Sequence, residues 1–157
     1  QQQPLLLEEV MTSEGASTSD LAAALYDSVK RGAKVINISL GVPTNPGDNV
    51  LDQALSSAAG SAVLVAAAGN TGPDCEPGFD VFPARFPTVL AVAARADDHT
   101  IAEYSLPAEL SAPGLVPAAL APGGWAEGTL AHDGVRPYAG TSFAAPVVSG
   151  TAALLRR

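Results

Sequence analysis

The chain has 157 residues, 47% hydrophobic and 15% charged, with a formal net charge of −8. That length holds one domain, and that composition is too apolar for an extended disordered chain. Sixteen acidic residues face eight basic ones, in runs no longer than Lys30-Arg31 or Arg156-Arg157, which excludes a phosphate-binding surface and hence a nucleic-acid partner. No apolar run approaches the roughly 20 residues that cross a bilayer, so no membrane span is expected. Alanine supplies 30 residues against eight aromatics, which predicts closely packed layers of helix and strand.

Residues 5–11, LLLEEVM, read as a short strand. Ser17-Thr18-Ser19-Asp20 then supplies caps for a helix with Leu21, Ala24, Leu25, Ser28 and Val29 on its apolar face. Lys30 and Arg31 suit the negative end of the helix dipole, and Gly32 is placed to stop it. Residues 34–40, KVINISL, are β-branched and bounded by glycine, hence a strand. A Pro/Gly loop over 41–47 leads to a second helix over 49–59, capped by Asp48, with Leu51, Ala54, Leu55 and Ala58 inward and Gly60 at its end. Residues 62–68, AVLVAAA, form a continuous apolar run, the mark of a strand covered on both faces. A long loop over 69–88 precedes a further buried strand over 89–94.

Alternating strands and helices predict an α/β fold with a parallel sheet and helices on both faces. Chemistry in such sheets sits in loops at the carboxyl ends of the strands, here 39–47 and 69–83. Beyond residue 95 the pattern is irregular: Ser111-Ala112-Pro113-Gly114 ends a short strand, and 115–139 reads as a hairpin or long loop. The last helix starts at Thr141-Ser142 and carries Ala145, Val148, Ala152 and Leu155 as its apolar stripe.

Gly140-Thr141-Ser142-Phe143-Ala144-Ala145-Pro146 is the most specific segment. Gly140 permits a close approach and Thr141 is placed to cap the helix. Ser142 falls at the helix N-terminus, where unpaired N–H groups and the positive dipole end favour an alkoxide or a tetrahedral oxyanion. Pro146 removes one intrahelical bond, so the Ser142 carbonyl needs another partner. Asn70 directly follows Gly69 at the end of a buried strand. Taken alone it is an ordinary turn residue. Pointed at Ser142, its amide and the Ser142 N–H would form an oxyanion hole.

Taken together these segments resemble the subtilisin-like serine peptidases, the subtilases. The matching pieces are GAKVINISLG at 32–41, VLVAAAGN at 63–70, FPARFPTVLAVAA at 82–94, SAPG at 111–114 and GTSFAAPVVSGTAALL at 140–155. The resemblance implies a serine endopeptidase domain with Ser142 as nucleophile and Asn70 as side-chain oxyanion donor. It implies that Ser39-Leu40-Gly41 pairs with an extended peptide or protein substrate. Ala66, Ala67, Ala68 and Gly69 would form the other wall of the specificity pocket, with Val81 near its base. Tyr138 would lie on the leaving-group side, and Thr141 is grouped with the substrate-facing residues. The resemblance leans toward a secreted setting, but no signal peptide is visible at Leu5-Leu6-Leu7.

The departure from the family pattern is equally definite. The family's triad runs Asp, His, Ser, and its Asp and His motifs lie upstream of anything in this chain. His99 in Asp97-Asp98-His99-Thr100 and His132 in Ala131-His132-Asp133-Gly134 lack the family's His-Gly-Thr context and read as surface-loop residues. The expectation is therefore that the Asp and His come from outside the chain, on a complementary chain or in a longer precursor. The only Met is Met11, and residues 153–157 stop inside a helical pattern, so the ends predict a processed product, a fragment or part of something larger. The alternatives are a non-catalytic peptide-binding module and an inactive truncated fragment. No cofactor is expected and no metal site is assigned. Calcium enters only through the family, since Asp48, Asp52, Asp74, Asp80 and Asp97-Asp98 lack an EF-hand spacing. Cys75, the single cysteine, can form no intrachain disulfide and reads as a free loop thiol.

Overall fold

The computed structural model describes residues 4–13, 15–43, 49–71, 81–96, 100–116 and 138–156. Asp48, Asp74, Cys75, Asp80, Asp97, Asp98, His99 and His132 lie outside the described residues.

The first helix, α1 (Thr18–Lys30), begins where the Ser17 hydroxyl accepts the Asp20 N–H at 3.1 Å. It ends in a paired closure: Gly32 N–H donates to Val29 O and Ala33 N–H to Ser28 O, with Gly32 at φ +88°. This left-handed step satisfies carbonyls that would otherwise be orphaned at a helix end. Strand β1 (Val35–Ile38) leads into the two-residue β2 (Val42–Pro43) and then α2 (Asn49–Ala59). Strands β3 (Val63–Ala67), β4 (Val81–Phe82), β5 (Val89–Arg95), β6 (Leu110–Pro113), β7 (Leu115–Val116) and β8 (Tyr138–Ala139) follow, and α3 (Thr141–Leu155) ends the described chain.

The main sheet has the order β1-β3-β5-β6, and every neighbouring pair in it is parallel. Side-chain alternation divides the core in two. Leu64 and Ala66 of β3 pack with Leu21 and Leu25 of α1 and with Leu51 and Leu55 of α2. Val65 and Ala67 of the same strand pack with Ala144 and Ala145 of α3 on the opposite face. Helices therefore cover both faces, as the run 62–68 predicts. Small alanines at the second interface let α3 lie close to the strands whose ends it must meet.

Three expectations need correction. Residues 5–11 form no strand. Leu5 and Leu7 are 82% and 78% exposed, and among the described residues no neighbour offers them a ladder; the segment is tied instead by Glu8 to Arg31 at 3.3 Å. A strand needs a partner as well as a β-prone sequence. On α3 the expected stripe holds at Ala145, which is buried, and at Val148, which packs against the same core, and it widens to Thr141, Ala144 and Ser149; Leu155, 81% exposed, falls outside it because the last turn runs past the sheet's cover. The loops 41–47 and 69–88 hide a paired element: β2 and β4 run antiparallel, with Val42 opposite Phe82 and Pro43 opposite Val81. Two-residue strands carry too little periodicity to be read from sequence.

Candidate active site

The carboxyl ends of β1 and β3 and the N-terminus of α3 converge on Ser142. The Ser142 hydroxyl donates to the Ser39 carbonyl at 3.1 Å, and the Ser39 hydroxyl donates to the Ser142 carbonyl at 2.9 Å. Two residues 103 positions apart thus brace each other in both directions. The second bond answers the expectation raised by Pro146, which sits inside α3 and offers no N–H to Ser142 O.

Asn70 approaches from the other side. Its Oδ1 accepts the Thr141 N–H at 2.9 Å and the Thr141 hydroxyl at 3.1 Å, and among the described residues Nδ2 has no acceptor. Thr141 is fully buried, and its Oγ1 also accepts the Gly69 N–H at 3.2 Å. Thr141 therefore does not cap α3. The N-cap position belongs to Gly140, which has no side chain to do so, and Thr141 joins the helix to the 69–70 loop. Gly140 is also not in a tight place: a Cβ built on it would lie 3.5 Å from Asn70 Nδ2 and 3.8 Å from Ser142 N. That one point beside Ser142 is bordered by both nitrogens. Among the described residues no acceptor takes the Ser142 N–H, as expected in the first turn of a helix.

The loop carrying Asn70 is fastened from behind. Leu106 N–H donates to Gly69 O and Thr71 N–H to Tyr104 O, with Asn70 bridged to Ser105. This support is missed by sequence reading, because 104–106 carries no periodic signal. Gly69 adopts φ +105°, and a Cβ there would meet Val81 Cγ2 at 2.9 Å and Leu106 Cδ1 at 3.0 Å. Gly69→Ala should therefore cost about 1–3 kcal/mol through backbone strain and crowding. Urea denaturation measures it, and a loss below about 0.5 kcal/mol would contradict this packing.

The other named residues fall as follows. Ala66 and Ala67 point into the two cores; beyond the end of β3, Ala68 is buried and the Gly69 N–H donates to Thr141 Oγ1. Leu40 packs against the core under α1 and α2. A Cβ at Gly41 would collide with Val81 Cγ1 at 2.3 Å, so the buried Val81 lies against both Gly41 and Gly69. Tyr138 pairs through its backbone with Val116. Among the described residues no cluster of three or more His, Cys, Asp or Glu could hold a metal ion, and no helix is long and apolar enough to cross a membrane.

The sequence profile described as the subtilase family matches residues 5–157. The chain belongs to the subtilase family. This subtilase chain is 35% identical to subtilisin DY of Bacillus licheniformis over 94% of its own length and 52% of the relative's. It is 33% identical to alkaline elastase YaB of Bacillus sp. (strain YaB), over 92% of its own length and 35% of the relative's. It superposes on the prenylagaramide maturation protease PagA with a TM-score of 0.75 at 35% identity, covering 93% of this chain and 52% of that one. The subtilase chain thus spans between about a third and a half of these relatives.

Proposed function

We propose that this subtilase chain carries the nucleophile and the oxyanion hole of a serine endopeptidase, and that the Asp and His of the triad come from residues outside it. The Ser142 Oγ attacks the carbonyl carbon of an extended peptide lying along Ser39-Leu40-Gly41. Its proton passes to the histidine, and the oxygen of the tetrahedral intermediate receives the Ser142 N–H and Asn70 Nδ2–H. Collapse breaks the C–N bond, the amine leaves with the histidine's proton, and water then releases the acyl group from Ser142. Ala68, Gly69 and Val81 flank the position of the residue being cleaved, and Tyr138 lies on the leaving-group side.

One observation carries this reading. A single point beside Ser142 lies 3.5 Å from Asn70 Nδ2 and 3.8 Å from Ser142 N, and both nitrogens have a hydrogen to give. Donors held near one place before substrate arrives need little reorganisation when charge develops there. In the described structure the Ser142 proton rests on a carbonyl, which is no base, so a hydroxyl in this state is a poor nucleophile.

The test is labelling by a fluorophosphonate of the chain assembled with the segment that carries the Asp and His motifs. The probe should attach at Ser142, and Ser142→Ala should abolish attachment and peptidase activity together. Attachment that survives Ser142→Ala would remove Ser142 as the nucleophile.

A further inference from the structure

Pro146 has a consequence that extends two residues beyond the site. The carbonyl of Ser142 cannot be served from within α3, so its donor must be the Ser39 hydroxyl, at 2.9 Å. A hydroxyl has one proton. Once Ser39 spends it on Ser142 O, Ser39 Oγ can only accept from its other neighbour. That neighbour is Asn37, whose Nδ2 donates to Ser39 Oγ at 2.9 Å. The Asn37 amide is thereby turned so that Oδ1 faces the other way, where the Ser149 hydroxyl lies 2.9 Å off. Ser149 also has Ala145 O at 3.0 Å as an alternative acceptor within its own helix. The missing N–H of one proline thus turns the Ser39 hydroxyl toward Ser142 O and leaves its oxygen to accept from the exposed Asn37, whose Oδ1 then faces Ser149.

The series runs along one side of the sheet. Asn37 and Ser39 alternate with Ile38 and point toward α3, in the same sense as Val35, which packs among the residues covered by α3. Ser149 is 8% exposed and faces back toward β1 from two turns along α3. A polar group on the covered side of a helix otherwise costs stability, which makes a serine among alanines at that place informative.

We propose that Asn37 and Ser149 are positioning residues for acylation: through Ser39 they hold the Ser142 carbonyl, and with it the first turn carrying the Ser142 hydroxyl and N–H. This rests on Ser142 being the nucleophile. Neither residue touches substrate in this account, so their effect falls on the rate of bond formation and not on binding.

Inactivation by a fluorophosphonate, followed to saturation in the assembled protease, separates the two constants. Asn37→Asp keeps the size of the side chain but offers only acceptors when ionised. It draws the Ser39 proton to itself and leaves Ser142 O without a donor. The maximal inactivation rate should fall about tenfold, the scale of one unmade hydrogen bond at the reacting group, with the half-saturating concentration unchanged. Ser39→Ala should match it, and Ser39→Thr, which retains the hydroxyl, should recover most of the rate. Ser149→Ala frees the Asn37 amide to turn and should lower the rate by about threefold, with Ser149→Thr restoring it. It also tests the series where Asn37→Asp fails to fold. Wild-type attachment at Ser142 with unchanged rates in the Ser149→Ala and Asn37→Asp variants overturns the positioning role alone. Effects confined to half-saturation overturn it too. Absence of wild-type attachment at Ser142 overturns the nucleophile and this inference together.

Discussion

If the proposed function holds, replacing Asn70 by alanine should lower kcat of the assembled protease by about 10²–10³-fold and leave KM nearly unchanged. The magnitude is that measured for the side-chain oxyanion donor of a subtilisin, so it is carried across the family and is not an independent estimate. The asymmetry between kcat and KM comes from the geometry. Asn70 Oδ1 is engaged by Thr141 N–H and Oγ1, so Nδ2 is held in place before substrate arrives. A donor so held acts on the charge that develops in the transition state more than on the neutral carbonyl. Asn70→Asp is the sharper variant, because its carboxylate still accepts from Thr141 but offers no N–H. Steady-state kinetics of both variants checks the assignment. An Asn70→Asp enzyme with wild-type kcat would show that the amide hydrogen does nothing for the reaction.

Residues 1–157 expressed alone should self-associate or precipitate and should not cleave casein. The reason lies at the β1 side of the sheet. Among the described residues β1 pairs only with β3, leaving one row of its N–H and C=O groups without a strand. Tyr26, Val50, Val147, Leu154 and Leu155 also expose large parts of their apolar surface. An open edge favours pairing with another chain. Co-expression with a segment bearing the Asp and His motifs should restore solubility and activity together, since one segment would cover the edge and bring the base to Ser142. Size-exclusion chromatography with light scattering, and casein hydrolysis, read the two effects. A monodisperse monomer that melts cooperatively without the added segment would refute this account of the edge and favour a stand-alone peptide-binding module.

What the sequence determined by itself is local. Three helices and three strands of the parallel sheet follow from spacing: Leu51, Ala54, Leu55 and Ala58 recur at helical intervals and are all buried in α2. Continuous apolar runs at 62–68 and 89–94 become β3 and β5, parallel and covered on both sides. The order of motifs around Ser142 and Asn70 points to the subtilase family, and Pro146 already demands an outside donor for the Ser142 carbonyl. What only the tertiary structure decided is who meets whom over long separations. Residues 5–11 look like a strand but pair with no strand among the described residues, and β2 and β4 look like loops but have each other. Nothing in a single sequence names Ser39 as the donor to Ser142, because the two are 103 positions apart and either serine could have faced solvent. Nor does it name Asn37 and Ser149, which read as a polar interruption in a β-branched strand and a serine in an alanine-rich helix. Periodicity reports which side of an element is buried, whereas hydrogen-bond direction is set by the one group left without a partner, here the Ser142 carbonyl opposite the proline. That group is identified only when helix and strand are packed together.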